Sequence, residues 1–218
     1  MRPRIRPAGV IFAILASLLL AAPAAAASPW TSFSQSGTSA FADTFDCTEN
    51  LDGTETCESQ SLFVFEGTMK ASGEPTRKGE QVCYSEFSST FDPMTGELVD
   101  EQGVFGCTFD AGTLTIDNLT SIILAPTVIE LMAWECDEFG CTETPAGSTT
   151  VYGTWTGLGP TMSQKGRSTF DDGSCVEVNA DRSRMRDASF VGSFDAQFAQ
   201  MSEGRFTFRT TCTFEEEI

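Results

Sequence analysis

The sequence predicts an all-β protein, an antiparallel sandwich or barrel of about ten strands built from two disulfide-bonded repeats. Three observations predict it. Apolar and polar residues alternate with period two, the spacing that puts one set on each face of a strand. Clusters of Asp and Gly, which tolerate the backbone angles of tight hairpins, punctuate the alternating runs. Eight Cys fall four and four into halves whose short motifs recur in the same order.

The first residues read as a secretory signal over 1–27. Arg2, Arg4 and Arg6 form a positive n-region, Val10 to Ala22 an apolar stretch, and Ala25 to Ala27 the small-residue pattern of a cleavage site. The apolar run is shorter than the roughly 20 residues a membrane-spanning helix needs. No later stretch reaches that length, because Ile122, Ile123 and Leu124 are soon interrupted by Pro126 and Glu130. No Cys follows the cut, so a lipid anchor is not expected. The expected location is secreted, periplasmic or cell-envelope, with no membrane insertion after cleavage.

Residues 28–40, rich in Ser, Thr and Gly, read as a flexible N-terminal segment. From 41 to 218 a single β domain of two repeats is expected, about 41–111 and 128–218, with two separate small domains as the alternative. Phe105, Cys107 and Phe109 share one face of a strand, as do Cys83, Phe87 and Phe91, and as do Phe206, Phe208, Cys212 and Phe214. Asn50-Leu51-Asp52-Gly53 and Asp171-Asp172-Gly173 read as turns. The stretch from Gly112 to Met132 reads as strands joining the halves, and no segment after the leader carries a helical stripe. The Phe residues, 18 in the whole chain, are expected to fill the core.

The repeat rests on four matches in order. Phe45-Asp46-Cys47 is answered by Trp134-Glu135-Cys136, Val64-Phe65-Glu66-Gly67-Thr68 by Val151-Tyr152-Gly153-Thr154, Cys83-Tyr84-Ser85-Glu86 by Cys175-Val176-Glu177, and Cys107-Thr108-Phe109-Asp110 by Cys212-Thr213-Phe214-Glu215. An even Cys count in an exported chain implies disulfides, and the absence of His and of close Cys pairs argues against zinc. One scheme used twice with nearest partners pairs Cys47 with Cys57, Cys83 with Cys107, Cys136 with Cys141, and Cys175 with Cys212.

Without the leader, ten basic residues face 31 acidic ones, a net charge of −21. That disfavours nucleic acid and anionic lipid as partners, since both reward clustered Lys and Arg. Lack of His removes Ser-His-Asp and Cys-His catalysis, and no phosphate-cradling glycine loop precedes a helix. Ser163-Gln164-Lys165 is the nearest approach to a Ser–Lys pair and reads better as a loop. Glu86 and Glu177, at matching places in the repeats, are the best carboxylate pair for a glycan-acting enzyme. No cofactor is expected. Calcium is the one ion with candidate ligands, Asp137 and Glu138 in the Cys136–Cys141 loop and Asp171 and Asp172 in a turn, none with the spacing of a dedicated calcium loop.

Gly153-Thr154-Trp155 matches the short G-x-W that lipocalins carry on their first strand. Tyr152 and Trp155 are therefore candidates for stacking on a sugar or lipid, with core packing as the competing explanation. Asn118-Leu119-Thr120 is a glycosylation sequon of consequence only in a eukaryote. The expected function is a non-enzymatic binding or interaction protein with an unidentified surface or small-molecule partner. The alternatives are a carboxylate-dependent glycan enzyme and a carrier of small apolar ligands.

Overall fold

The computed structural model describes residues 31–109, 111–137, 140–171 and 175–212; the leader expected at 1–27 lies outside them. The described chain is ten antiparallel strands in one sheet, with no helix. In chain order these are β1 (Thr31–Glu49), β2 (Glu55–Ala71), β3 (Arg77–Phe91), β4 (Leu98–Phe109), β5 (Leu114–Asp117), β6 (Ser121–Asp137), β7 (Gly140–Gly157), β8 (Met162–Asp171), β9 (Cys175–Gly192) and β10 (Phe198–Cys212).

The pairings form a closed circuit. β1 to β4 pair in sequence, β4 pairs with β6, β6 with β7, β7 with β9, β9 with β10, and β10 returns to β1. Two strands stand off the circuit: β5 pairs with the start of β6, and β8 with the part of β9 that β7 leaves unpaired. Pro126 sits in β6 where the register with β7 shifts between Leu124 and Thr127. An irregularity is where a strand tolerates a residue with no N–H to donate.

The cystines Cys47–Cys57 and Cys83–Cys107 each join residues directly opposite on neighbouring strands, with Cα atoms 4.0 and 4.1 Å apart. The backbone register likewise sets Cys136 opposite Cys141 and Cys175 opposite Cys212. The strand faces read from Cys83, Phe87, Phe105 and Cys107 hold, since Cys83 lies opposite Cys107 and Ser85 opposite Phe105.

Two expectations need correction. Residues 31–40, read as a flexible segment, form the first half of β1, because β2 and β10 hydrogen-bond it from both sides. Backbone pairing holds this stretch extended where its small polar side chains offer little apolar surface. The core, in turn, is not made of Phe. Its largest fully buried side chains are Trp155, Leu62, Ile122, Ile129, Met201, Val64, Val82 and Val151, with Phe65 the one Phe among them. Most described Phe are half-buried or exposed, because the alternation puts them on the face away from the aliphatic core. An exception is the row Trp155–Phe190–Phe194–Tyr84, with successive ring centroids 4.8, 5.3 and 6.4 Å apart, which crosses the interior from β7 to β3.

Asp43 is a buried acid in β1, 8 % exposed, accepting a hydrogen bond of 3.0 Å from the Ser61 hydroxyl. Burial raises its pKa above the ordinary carboxylate value, against the lowering effect of the Ser61 bond. An acid whose folded pKa is raised holds its proton more tightly in the native state, so stability falls as pH rises from the unfolded pKa through the folded one. Asp43→Asn keeps an acceptor for Ser61 and removes the buried charge. It is expected to stabilise the protein at pH 7 and raise its Tm by a few degrees, with the gain vanishing near pH 3. Thermal unfolding at both pH values checks this; equal Tm at pH 7 would refute it.

Candidate functional site

Every Lys and Arg after residue 30 lies in one band of the sheet. Lys70, Arg77, Lys78, Lys165, Arg167, Arg182, Arg184, Arg186, Arg205 and Arg209 all stand in register, directly or through intervening strands, with residues 32–40 of β1. The opposite end, at the β1–β2 and β3–β4 turns, carries Glu49, Asp52, Glu55, Asp92 and Glu97 with no described cation. The hairpin at Asn50–Thr54 is tied by the Asp52 carboxylate, which accepts from the Thr54 N–H and hydroxyl; these bonds lower its pKa.

Within the cationic band, β1, β10, β9 and β8 run side by side and form a groove of about 670 Å³. Opposed residues of an antiparallel ladder share a face. The row Ser36–Arg205–Arg182–Lys165 and the next row Thr38–Glu203–Arg184–Ser163 therefore point to one side of the sheet. This is the side that carries Ala40 and Met201, so the groove continues the core face beyond the point where the core ends. Between the two rows, Gly37 of β1 and Gly204 of β10 lie opposite each other and present backbone to the groove.

One cation here is neutralised: Arg184 makes an ion pair with Glu203. Another, Arg186, closes the core end of the band, donating from Nε to the Gly159 carbonyl and from Nη1 to the Leu119 carbonyl, both at 3.0 Å. Lys165, Arg182 and Arg205 are exposed and make no ion pair among the described residues. A second groove of about 270 Å³ adjoins the first, sharing Ser36 and Arg205 and adding Ser34, Thr68 and Lys70. Chemically, this is a set of charged donors and hydroxyls arranged to receive negative charge.

The residues expected from sequence fall elsewhere. Trp155 is wholly buried, donates from Nε1 to the Phe41 carbonyl at 2.9 Å and packs at a tilt against Phe190, so it is a core residue. Tyr152 is 48 % exposed on the other face of β7, and the two rings form no joint site. Glu86 accepts hydrogen bonds from Tyr84 Oη and from Gln60 Nε2; burial, and after it the Glu86 carboxylate, raises the Tyr84 pKa. It stands on β3, whereas Glu177 is on β9, which is not a neighbour of β3. Glu138 and Asp172 lie outside the described residues, as do the side chains of Asp137 and Asp171. Among the described residues no group of three His, Cys, Asp or Glu is placed to hold a metal ion.

Of the residues weighed from sequence, Ser163 and Lys165 do reach the groove, as neighbours on one face of β8 rather than in a loop. Arg182, Arg184 and Arg205 were overlooked. Their signal was present, in the alternation Arg182-Ser-Arg184-Met-Arg186 and in the lack of any cation between residues 79 and 164. A net charge summed over the chain conceals both. No protein-family model, curated protein or solved structure matches this chain.

Proposed function

We propose that this chain is an exported, non-enzymatic binding protein that takes an anionic ligand in the groove between β1, β10, β9 and β8. The sorting of charge carries this reading. In a chain of net charge −18, all ten basic residues after residue 30 lie in one band of the sheet, four of them line one groove, and three of those four have no acidic partner among the described residues. Such a concentration of one sign in a concave surface raises the local concentration of the opposite charge. A carrier of apolar ligands would need an empty apolar interior, but Trp155, Ile122, Leu124, Val151 and Met201 occupy that space. A glycan-cleaving enzyme would need two facing acids, and Glu86 and Glu177 do not provide them.

The test is retention on immobilised dextran sulfate at low salt. The protein is expected to be retained despite its negative net charge and to elute as salt rises. The double variant Arg182→Glu/Arg205→Glu is expected to pass through unretained. Flow-through of the parent protein would sink the reading.

Export fits the two disulfides, which persist in oxidising compartments, and the leader read at residues 1–27. No helix among the described residues is long and apolar enough to cross a membrane. The closed circuit of pairings and its filled interior support a barrel over a sandwich. Strand order supports the repeat, with β1-β2-β3-β4 matched by β6-β7-β9-β10 and β8 inserted in the second copy. In that scheme Cys136–Cys141 and Cys175–Cys212 are cystines like their counterparts. The intact mass of the processed protein is then expected eight hydrogens below the reduced value; a deficit of four would leave only the two described bridges.

A further inference from the structure

The cations of the band are not clustered but in line. One cross-strand row runs Lys78–Thr68–Ser36–Arg205–Arg182–Lys165 over six strands, from β3 through β2, β1, β10 and β9 to β8. At about 4.8 Å between strands, it is roughly 24 Å long. A parallel row two residues away holds Lys70 and Arg167 at register positions with Ser34, Thr207 and Ala180 between them. The two grooves meet at Ser36 and Arg205, so the path is continuous from Lys165 to Lys70.

A compact anion would be held by two or three converging donors in an enclosed pocket. Here the donors are spaced along an open track, which matches a ligand whose charges are themselves repeated. We infer that the ligand is a linear anionic polysaccharide carrying about one carboxylate or sulfate per sugar, laid across the strands from β8 toward β3. The inference rests on the anion-binding reading of the groove and specifies its ligand.

Two features select a polysaccharide over a nucleic acid. Among the described residues no aromatic side chain lines either groove, whereas single-stranded nucleic acids are held by stacking their bases on aromatic rings. The linings instead offer hydroxyls from Ser34, Ser36, Thr38, Thr68 and Ser163, which exchange hydrogen bonds with sugar hydroxyls. The Arg residues supply planar donor forks suited to carboxylate and sulfate.

Length dependence is the test, using oligogalacturonates of one, three and six residues titrated calorimetrically into the full processed protein at low salt. Affinity is expected to rise about tenfold from three to six residues, as two further exposed ion pairs form. Lys70→Glu/Lys78→Glu is expected to abolish that rise while leaving the three-residue ligand unchanged. Arg182→Glu/Arg205→Glu is expected to weaken both. Equal affinity for one and six residues would overturn the polymer inference while retention on dextran sulfate left the anion site standing. Tighter binding of an oligothymidylate of matched charge would overturn the polysaccharide class. Loss of all binding, dextran sulfate included, would remove the anion reading itself.

Discussion

Replacing Trp155 by Ala is expected to cost about 3–5 kcal/mol, the range for deleting a large buried aromatic. Trp155 is wholly buried on β7, packs 4.8 Å from Phe190 and sits among Ile122, Leu124 and Val151. Its indole N–H reaches the Phe41 carbonyl on β1, a strand that does not pair with β7. The side chain therefore ties opposite walls of the circuit, and its removal leaves a void that neither wall collapses to fill. Trp155→Phe keeps most of the ring volume and loses the hydrogen bond, for an expected cost of about 1–2 kcal/mol. Urea unfolding of both variants with disulfides intact measures the difference. If Ala costs no more than Phe, Trp155 is not the anchor of this core. Two to four degrees of Tm per kcal/mol make the expected loss for Ala roughly 6–20 °C.

A single methyl group at Gly37 is expected to destabilise by about 3 kcal/mol or more, at or beyond the upper end for overpacking. Gly37 lies opposite Gly67 of β2 and Gly204 of β10, and Gly67 in turn opposite Gly79 of β3, a row of four glycines across four strands. A Cβ at Gly37 would stand 2.1 Å from the Glu66 carbonyl oxygen and 2.8 Å from both the Gly67 Cα and the Phe65 ring. Two of these obstacles are backbone, which cannot swing aside as the end of a long side chain can. Gly37→Ala therefore forces β1 and β2 apart beneath the cationic groove. Gly166 of β8 is the control, because a Cβ there meets nothing within 4 Å. Gly166→Ala is expected to change stability by no more than about 0.5 kcal/mol. Thermal unfolding of the two variants side by side checks the argument; similar losses would mean that close strand approach is not what the glycine row serves.

Retention on dextran sulfate and its loss in Arg182→Glu/Arg205→Glu bear on function rather than on folding. Both arginines are exposed, so reversing them leaves the core untouched. The two described bridges lie on other strands, Cys47–Cys57 on β1 and β2 and Cys83–Cys107 on β3 and β4.

Much of this architecture is legible in single strands. The alternation around Cys83, Phe105 and Cys107 foretells strand, face and bridge together, because the two-residue period is a property of the extended backbone and needs no partner to be read. The turn at Asn50–Gly53 is local in the same way. Residues 31–40 are not legible so, since Ser32, Ser34, Ser36 and Thr38 carry little apolar signal and owe their extended form to the hydrogen bonds of β2 and β10. Nor is the role of Phe legible. Alternation says that Phe206 and Phe208 share a face but not which face meets the core, and the core lies mostly on the aliphatic one.

The sequence by itself determined that the described chain is mostly β strand, that the protein is strongly acidic, and that Cys47 and Cys57, like Cys83 and Cys107, are bridging partners. Period, charge and short Cys spacing are all carried by neighbours along the chain. Only the tertiary structure decided that the cations form a site. Ser36 and Arg205 are far apart in sequence and become adjacent because β10 returns to pair with β1; Lys165 joins them because β8 takes the edge of β9 that β7 abandons. Pairings between distant strands decide which charges meet, and a sum of charge over the chain is blind to them.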